Sequence, residues 1–173
     1  MTPWLWISLP AQRLYLLSDN GIISSYPVST AAKGPGEQYG SGCTPRGWHL
    51  VRAKIGAGLP ERAVLVGRRF TGEIYTPALA AEHPGRDWIL SRILWLSGLE
   101  PGVNRLGRCD TFRRYIYIHG CPDHFIDGHP RSHGCVRMRN TDVIALFDQV
   151  SIGTRVYLSE TDQLPPLLPS LPK

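Results

Sequence analysis

No apolar run in this chain approaches the roughly 20 residues that cross a bilayer, so no membrane span is expected. The N-terminus, Met1-Thr2-Pro3-Trp4-Leu5-Trp6-Ile7-Ser8-Leu9-Pro10, has no basic segment, and its short apolar run is broken by Pro3 and Pro10. It does not read as a secretory signal, which makes the cytoplasm the expected location, or the periplasm if a leader has been removed. Charge of one sign is nowhere concentrated. The net charge is +5 and the arginines are scattered, which argues against a nucleic-acid face and leaves an anionic small substrate or polymer as the counterpart of a cationic surface. Cysteine is scarce, with Cys43, Cys109, Cys121 and Cys135 alone. Their even number permits two disulfides, but a chain of this size does not need them, and in a reducing compartment all four are free thiols. His119, Cys121, His124, His129, His133 and Cys135 are dense in metal-ligating types. They include no Cys-x2-Cys pair and no His-x3-His helical spacing, so they do not make a zinc motif.

What is present fits one domain. The 173 residues are enough for a single packed core and short for two, and 42% hydrophobic residues argue against wholesale disorder. Gly 18 and Pro 15 are spread along the chain, which suits many short strands joined by turns. Residues 4–9 and 11–17 read as strands, and Ser18-Asp19-Asn20-Gly21 as a turn with Asn-Gly suited to type I′, followed by a return strand from Ile22 to Val28. Ala31 to Pro45 reads as a loop. Further strands are expected at Gly47–Ile55, Ala63–Tyr75, Trp88–Leu96, Tyr115–Ile118 and Thr154–Leu158. Asn140 reads as an N-cap for a helix over Thr141–Gln149, with Val143, Ile144, Phe147 and Val150 on its apolar face. Residues 1–158 form the expected domain. Residues 159–173, with Pro165, Pro166, Pro169 and Pro172, form a proline-rich tail.

One stretch carries chemistry. The β-branched run Tyr117-Ile118 ends in His119-Gly120, and sixteen residues after the histidine comes Cys135, inside Ser132-His133-Gly134-Cys135-Val136-Arg137-Met138. A nucleophilic thiol needs a base and amide donors for an oxyanion, and this stretch can supply all of them. Each residue also has a plainer use. Cys135 can be a buried structural thiol, His119 a satisfied core histidine, and Arg137 a surface charge. His133 can be a second base, a turn residue or part of the oxyanion site. The helix a few residues on is expected to lend its N-terminal dipole to a lowered thiol pKa.

The same residues resemble the L,D-transpeptidase catalytic (YkuD) family, whose signature is a histidine and then Ser/Thr-His-Gly-Cys after a short loop. Gln12-Arg13-Leu14-Tyr15, Tyr26-Pro27-Val28-Ser29-Thr30, Thr44-Pro45-Arg46-Gly47, Arg114–Gly120 and Gly153-Thr154-Arg155-Val156 are similar to other family segments, which spreads the resemblance over residues 4–158. It implies a mainly β fold, a β-sandwich with a short helix after the active cysteine. It makes Cys135 the nucleophile and His119 the base, oriented by the Gly120 carbonyl in place of a triad acid. His133, Gly134 and the Cys135 amide would form the oxyanion site. Ser132 and Arg137 would bind substrate, or Arg137 would anchor the turn. Neither metal nor cofactor is implied. The implied reaction is attack on a peptidoglycan stem peptide, with loss of the terminal D-alanine and a thioester on Cys135. Amine as acceptor gives a 3–3 cross-link or D-amino-acid exchange, and water gives a tripeptide. The absent leader favours water, hence an L,D-carboxypeptidase acting on soluble muropeptides, with transpeptidase as the alternative and a non-catalytic peptidoglycan-binding module as a second. Carbapenem-type β-lactams are expected covalent inhibitors. Residues 79–110 are long for the bare domain and would be a lid, a specificity loop or a decorated hairpin.

Overall fold

The computed structural model describes residues 2–165. Ten strands and two helices follow in the order β1 (Trp4–Ser8), β2 (Arg13–Ser18), β3 (Gly21–Ser29), β4 (Gly47–Ile55), β5 (Ala63–Val66), β6 (Arg69–Ile74), α1 (Pro77–Glu82), β7 (Ile89–Gly98), β8 (Tyr117–Gly120), β9 (Val136–Met138), α2 (Asn140–Gln149) and β10 (Arg155–Ser159). The strands form one hydrogen-bonded sheet in the order β4-β10-β1-β2-β3-β9-β8-β7-β5-β6, and β4 also pairs with β7. The fold is therefore the expected mainly β sandwich with a small helix, its two layers joined because the sheet folds over and closes on itself. Two pairings are parallel, β1 with β10 and β8 with β9.

The core follows from alternation. Leu5 and Ile7, Leu14 and Leu16, Leu94 and Leu96, Ile118, and Val136 and Met138 all point inward and are essentially unexposed. Each such side chain contributes about 1.5–3 kcal/mol on burial. Helix α2 seals this core with Val143, Leu146 and Phe147, and the residue that follows it, Val150, joins them. Leu146 takes the place expected of Ile144, which is only half-buried. Lys54 Nζ donates to the carbonyls of Phe147 (2.6 Å) and Val150 (2.7 Å) and so completes the helix's C-terminal end.

Several local expectations are corrected. Asn140 is the first helical residue, not the cap. The capping oxygen comes from Asp123, whose Oδ1 accepts from Asn140 N (3.0 Å) and Nδ2 (2.9 Å). The β2–β3 turn centres on Asp19-Asn20, because Ser18 pairs with Gly21, and only Gly21 takes positive φ (110°), so no type I′ Asn-Gly turn forms. Ala63–Tyr75 is a hairpin, with Gly67 (φ 53°) and Arg68 (φ 63°) reversing the chain between β5 and β6. A short helix, α1, was not expected. Thr76 Oγ1 accepts from Leu79 N (3.1 Å) and Pro77 stands at the first turn, the usual helix-start chemistry. Tyr115 (φ 56°) belongs to a turn, and the strand there is Tyr117–Gly120. Residues 79–110 comprise the end of α1, strand β7 and the turns on either side of it. Of the tail, Glu160 pairs with Arg46 and Thr161 accepts from Ser8 Oγ (2.9 Å); Pro166, Pro169 and Pro172 lie outside the described residues. Among the described residues no helix is long and apolar enough to cross a membrane.

Candidate active site

Strands β8 and β9 run parallel, with Ile118 opposite Val136 and His119 opposite Arg137. Side chains alternate across a strand, so this register sorts the motif into two faces. Ile118, Val136 and Met138 enter the core. Tyr117, His119, Cys135 and Arg137 share the other face, which floors a cleft of about 330 Å³ also lined by Arg68, Asp87, Arg114 and His133.

His119 is buried, and its Nδ1 lies 2.7 Å from the Gly120 carbonyl oxygen. A carbonyl can only accept, so Nδ1 carries the proton and Nε2 is an open lone pair. Burial holds the imidazole pKa below its ordinary value, with the Gly120 carbonyl and Asp87 opposing the shift. The imidazole is therefore neutral near pH 7. Gly120 itself is obligatory, because a Cβ there would stand 2.4 Å from the Leu90 carbonyl oxygen.

Cys135 is half-buried. Its thiol donates to the Tyr115 carbonyl (3.4 Å) and accepts from Tyr117 N–H (3.4 Å). Burial pushes the thiol up to about 11. This corrects the expectation of a thiol lowered by the helix dipole. Four extended residues, Val136 to Arg139, at about 3.3 Å each, separate Cys135 from the start of α2, and a helix dipole acts within about one turn of its end. No hydrogen bond joins Cys135 to His119. The two share one face of the sheet, and the thiol must leave the Tyr115 carbonyl to meet Nε2.

The turn before the thiol is built otherwise than expected. Ser132 Oγ donates to the Cys135 carbonyl (2.6 Å) and accepts from Gly134 N–H (3.1 Å). Ser132 is therefore a turn residue with its hydroxyl already engaged, and the Gly134 amide is not an available oxyanion donor. The Cys135 N–H has no partner among the described residues and remains the available one. Gly134 (φ 132°) packs against the Cys43 carbonyl, 3.1 Å from where a Cβ would stand. Thr44 Oγ1 donates to the Gly134 carbonyl (2.8 Å), and Arg114 donates to the Cys43 (2.6 Å) and Gly36 (3.2 Å) carbonyls. Thr44 thus braces the turn from the 31–45 loop, and Arg114 holds that loop in place. His133 is exposed at the junction between the cleft and a second hollow of about 330 Å³ lined by Tyr39, Gly40 and Gly42.

Arg137 is almost wholly buried, donating to Asp87 Oδ1 (3.1 Å) and to the Arg131 carbonyl (3.3 Å). It anchors the loop before the motif, and its charge is already met by Asp87. Neither Asp87 nor Arg68 carried a local sequence signal. The other thiols stand apart: burial pushes Cys121 up to about 12, and its sulfur donates to the Met138 carbonyl (3.4 Å). All four cysteines are free. Among the described residues no three His, Cys, Asp or Glu side chains converge to hold a metal ion. A larger hollow of about 700 Å³ beside Trp48, Tyr157 and Glu100 shares no residue with the cleft and holds neither thiol nor imidazole, so its size does not make it the reactive site.

Similarity to known proteins extends to both sequence and fold. A segment of 43 residues is 51% identical to the protein named probable L,D-transpeptidase YbiS of Escherichia coli K12, covering 25% of this chain and 14% of that one. The fold matches an L,D-transpeptidase from Mycobacterium smegmatis (TM-score 0.57, 17% identity, 91% of this chain and 58% of that one). It also matches the L,D-transpeptidase LdtMt1 in complex with imipenem (TM-score 0.54, 19% identity, 91% and 59%). The match thus spans about a seventh of the curated relative and under two thirds of the solved chains. The profile of the L,D-transpeptidase catalytic domain covers residues 2–158, almost all of the sheet with its His119 and Cys135 strands, and by that match this chain belongs to the YkuD family.

Proposed function

We propose that the cleft catalyses acyl transfer on peptidoglycan stem peptides through a thioester on Cys135, with an amine of a second stem peptide or of a D-amino acid as acceptor. The observation that carries the reading is the neutral, buried His119, whose Nδ1–H is committed to the Gly120 carbonyl and whose Nε2 opens onto the face that bears the thiol. Nε2 takes the thiol proton as sulfur attacks the carbonyl of the third stem residue. The Cys135 N–H supports the oxyanion. Collapse breaks the bond to the terminal D-alanine, whose amine leaves with the proton held by the imidazolium. The acceptor amine then attacks the thioester carbonyl as His119 takes its proton, the C–S bond breaks, and the departing Cys135 sulfur recovers that proton from the imidazolium. General-base help of this kind contributes about 10²–10⁴-fold.

The second hollow beside His133 supports an acceptor larger than water, as do the names of the relatives. The preference for water rested on the chain's first residues, which bear on location and not on the cleft. Product analysis with a purified disaccharide tetrapeptide, for the parent and for Cys135→Ala, tests the reading. Cross-linked dimer or D-amino-acid exchange, lost in the variant, is expected. Tripeptide alone would make the protein an L,D-carboxypeptidase, and binding with no turnover would make it a binding module. Imipenem should leave a covalent adduct on the parent and none on the variant, read by intact mass.

A further inference from the structure

We propose that Arg68 reads a carboxylate on the acyl donor, one placed within about one residue of the carbonyl that Cys135 attacks. The inference rests on the acyl-transfer reading for its substrate class and on geometry for the residue. Arg68 stands at the second position of the two-residue turn Gly67-Arg68, between paired Val66 and Arg69. Its φ of 63° lies in the left-handed region, where glycine or asparagine is the inexpensive choice and a long side chain is strained. Such strain persists where the surroundings over-determine it, and it concentrates at functional positions.

The surroundings do fix this guanidinium. It lies 4.8 Å from the Trp95 ring centroid and 5.2 Å from that of Tyr115, and Nη1 donates to Tyr117 Oη (3.2 Å). Aromatic faces hold a guanidinium flat while leaving its edge open for a two-point contact with a carboxylate. Among the described residues Arg68 has no acidic partner, whereas Arg137, the buried cation beside His119, is already paired with Asp87. Arg114, the third arginine lining the cleft, is spent on the Gly36 and Cys43 carbonyls, so Arg68 is the cleft cation with capacity to spare.

Tyr117 sets the reach. Its N–H donates to the Cys135 sulfur, and its hydroxyl accepts from Arg68, so one tyrosine separates nucleophile from cation. A donor attacked by Cys135 therefore meets Arg68 with a carboxylate within about two extended residues, roughly 7 Å, of the attacked carbonyl. Two donor carboxylates fall within that reach: the terminal carboxylate of the leaving D-residue, and the side-chain carboxylate of the third residue. Both present the same chemistry to Arg68, and amidation separates them.

The test compares the acid tetrapeptide, its C-terminal amide and its third-residue side-chain amide as donors for the parent, Arg68→Gly and Arg68→Lys. Arg68→Gly should lower kcat/KM on the acid about 10- to 100-fold, chiefly through KM, the size expected of a charged hydrogen-bonded contact. Its unfolding midpoint should hold, because glycine suits the turn. The parent should lose the same factor on one of the two amides, which identifies the carboxylate, and Arg68→Gly should no longer distinguish that amide from the acid. Arg68→Lys should recover part of the loss. Equal losses on all three donors, or none, overturn the inference while leaving acyl transfer standing. If the parent turns over no donor, the acyl-transfer reading falls, and calorimetry of Cys135→Ala with the same peptides decides Arg68: acid preferred over one amide retains its role, and equal or absent binding removes it.

Discussion

The resting protonation state of the thiol can be read from the pH dependence of its alkylation. Burial pushes Cys135 up to about 11 and holds His119 below its ordinary value, so near neutrality the pair is thiol and imidazole, not thiolate and imidazolium. At pH 7 the thiolate fraction is then about 10⁻⁴, against a few per cent for a free cysteine near 8.5. A more basic thiolate is also a better nucleophile, and a Brønsted slope of about 0.4–0.5 returns roughly tenfold of that deficit. Cys135 should therefore react with iodoacetamide some 10- to 30-fold more slowly at pH 7 than a free cysteine. The assay follows carbamidomethylation of the Cys135 peptide by mass spectrometry from pH 5 to 11, with the Cys121 peptide as the slower internal control. The rate should climb about tenfold per pH unit without a plateau near neutrality, and His119→Ala should hardly change it while abolishing acylation by substrate. A flat rate between pH 5 and 8, lowered by His119→Ala, would identify a preformed ion pair and refute the general-base account.

Two further outcomes follow from the site's supports. Gly120→Ala would drive a Cβ to 2.4 Å from the Leu90 carbonyl oxygen and 3.0 Å from Asn140 Oδ1, an overpacking cost of about 2–3 kcal/mol; calorimetry should show a midpoint roughly 5–10 °C lower, and kcat should fall more than KM rises because His119 loses its orienting carbonyl. His49 is fully buried, its two nitrogens facing the Gly47 carbonyl (3.0 Å) and Thr111 Oγ1 (2.8 Å), and burial lowers it from 6.5 to about 4. The unfolded chain binds the proton first, so stability present above pH 6.5 is lost as pH falls towards 4, by about 3 kcal/mol, with buried His119 adding in the same direction. Denaturant titrations at pH 7 and 4.5 should show this slope, and His49→Asn should remove most of it; equal stability at the two pH values would contradict the burial argument.

What the sequence makes legible is periodicity and local order. Tyr115–Ile118 reads as a strand leading into His119, but Val136–Met138 is too short to read as one, and it is the parallel register of the folded sheet that places the thiol and the imidazole on one face. What the sequence conceals is the choice of polar partner. Ser132 could have faced a substrate as readily as the Cys135 carbonyl, and only the folded turn commits it to the latter. The cap of α2 comes from Asp123, seventeen positions before Asn140, so the local N-cap rule names a residue that the fold uses otherwise. Gly67-Arg68 gives no hairpin signal, because an arginine at positive φ is a conformation that turn propensities discount. The charged rim is farther still from the motif: Asp87 meets Arg137 across 50 positions, and Arg68 meets Tyr117 across 49. The thiol and the imidazole lie close in sequence because one loop joins two adjacent strands. Arg68 and Asp87 come from outside that loop, so the charges around the cleft can change while the signature stays the same, and on the proposed reading Arg68 is the one that would select a donor.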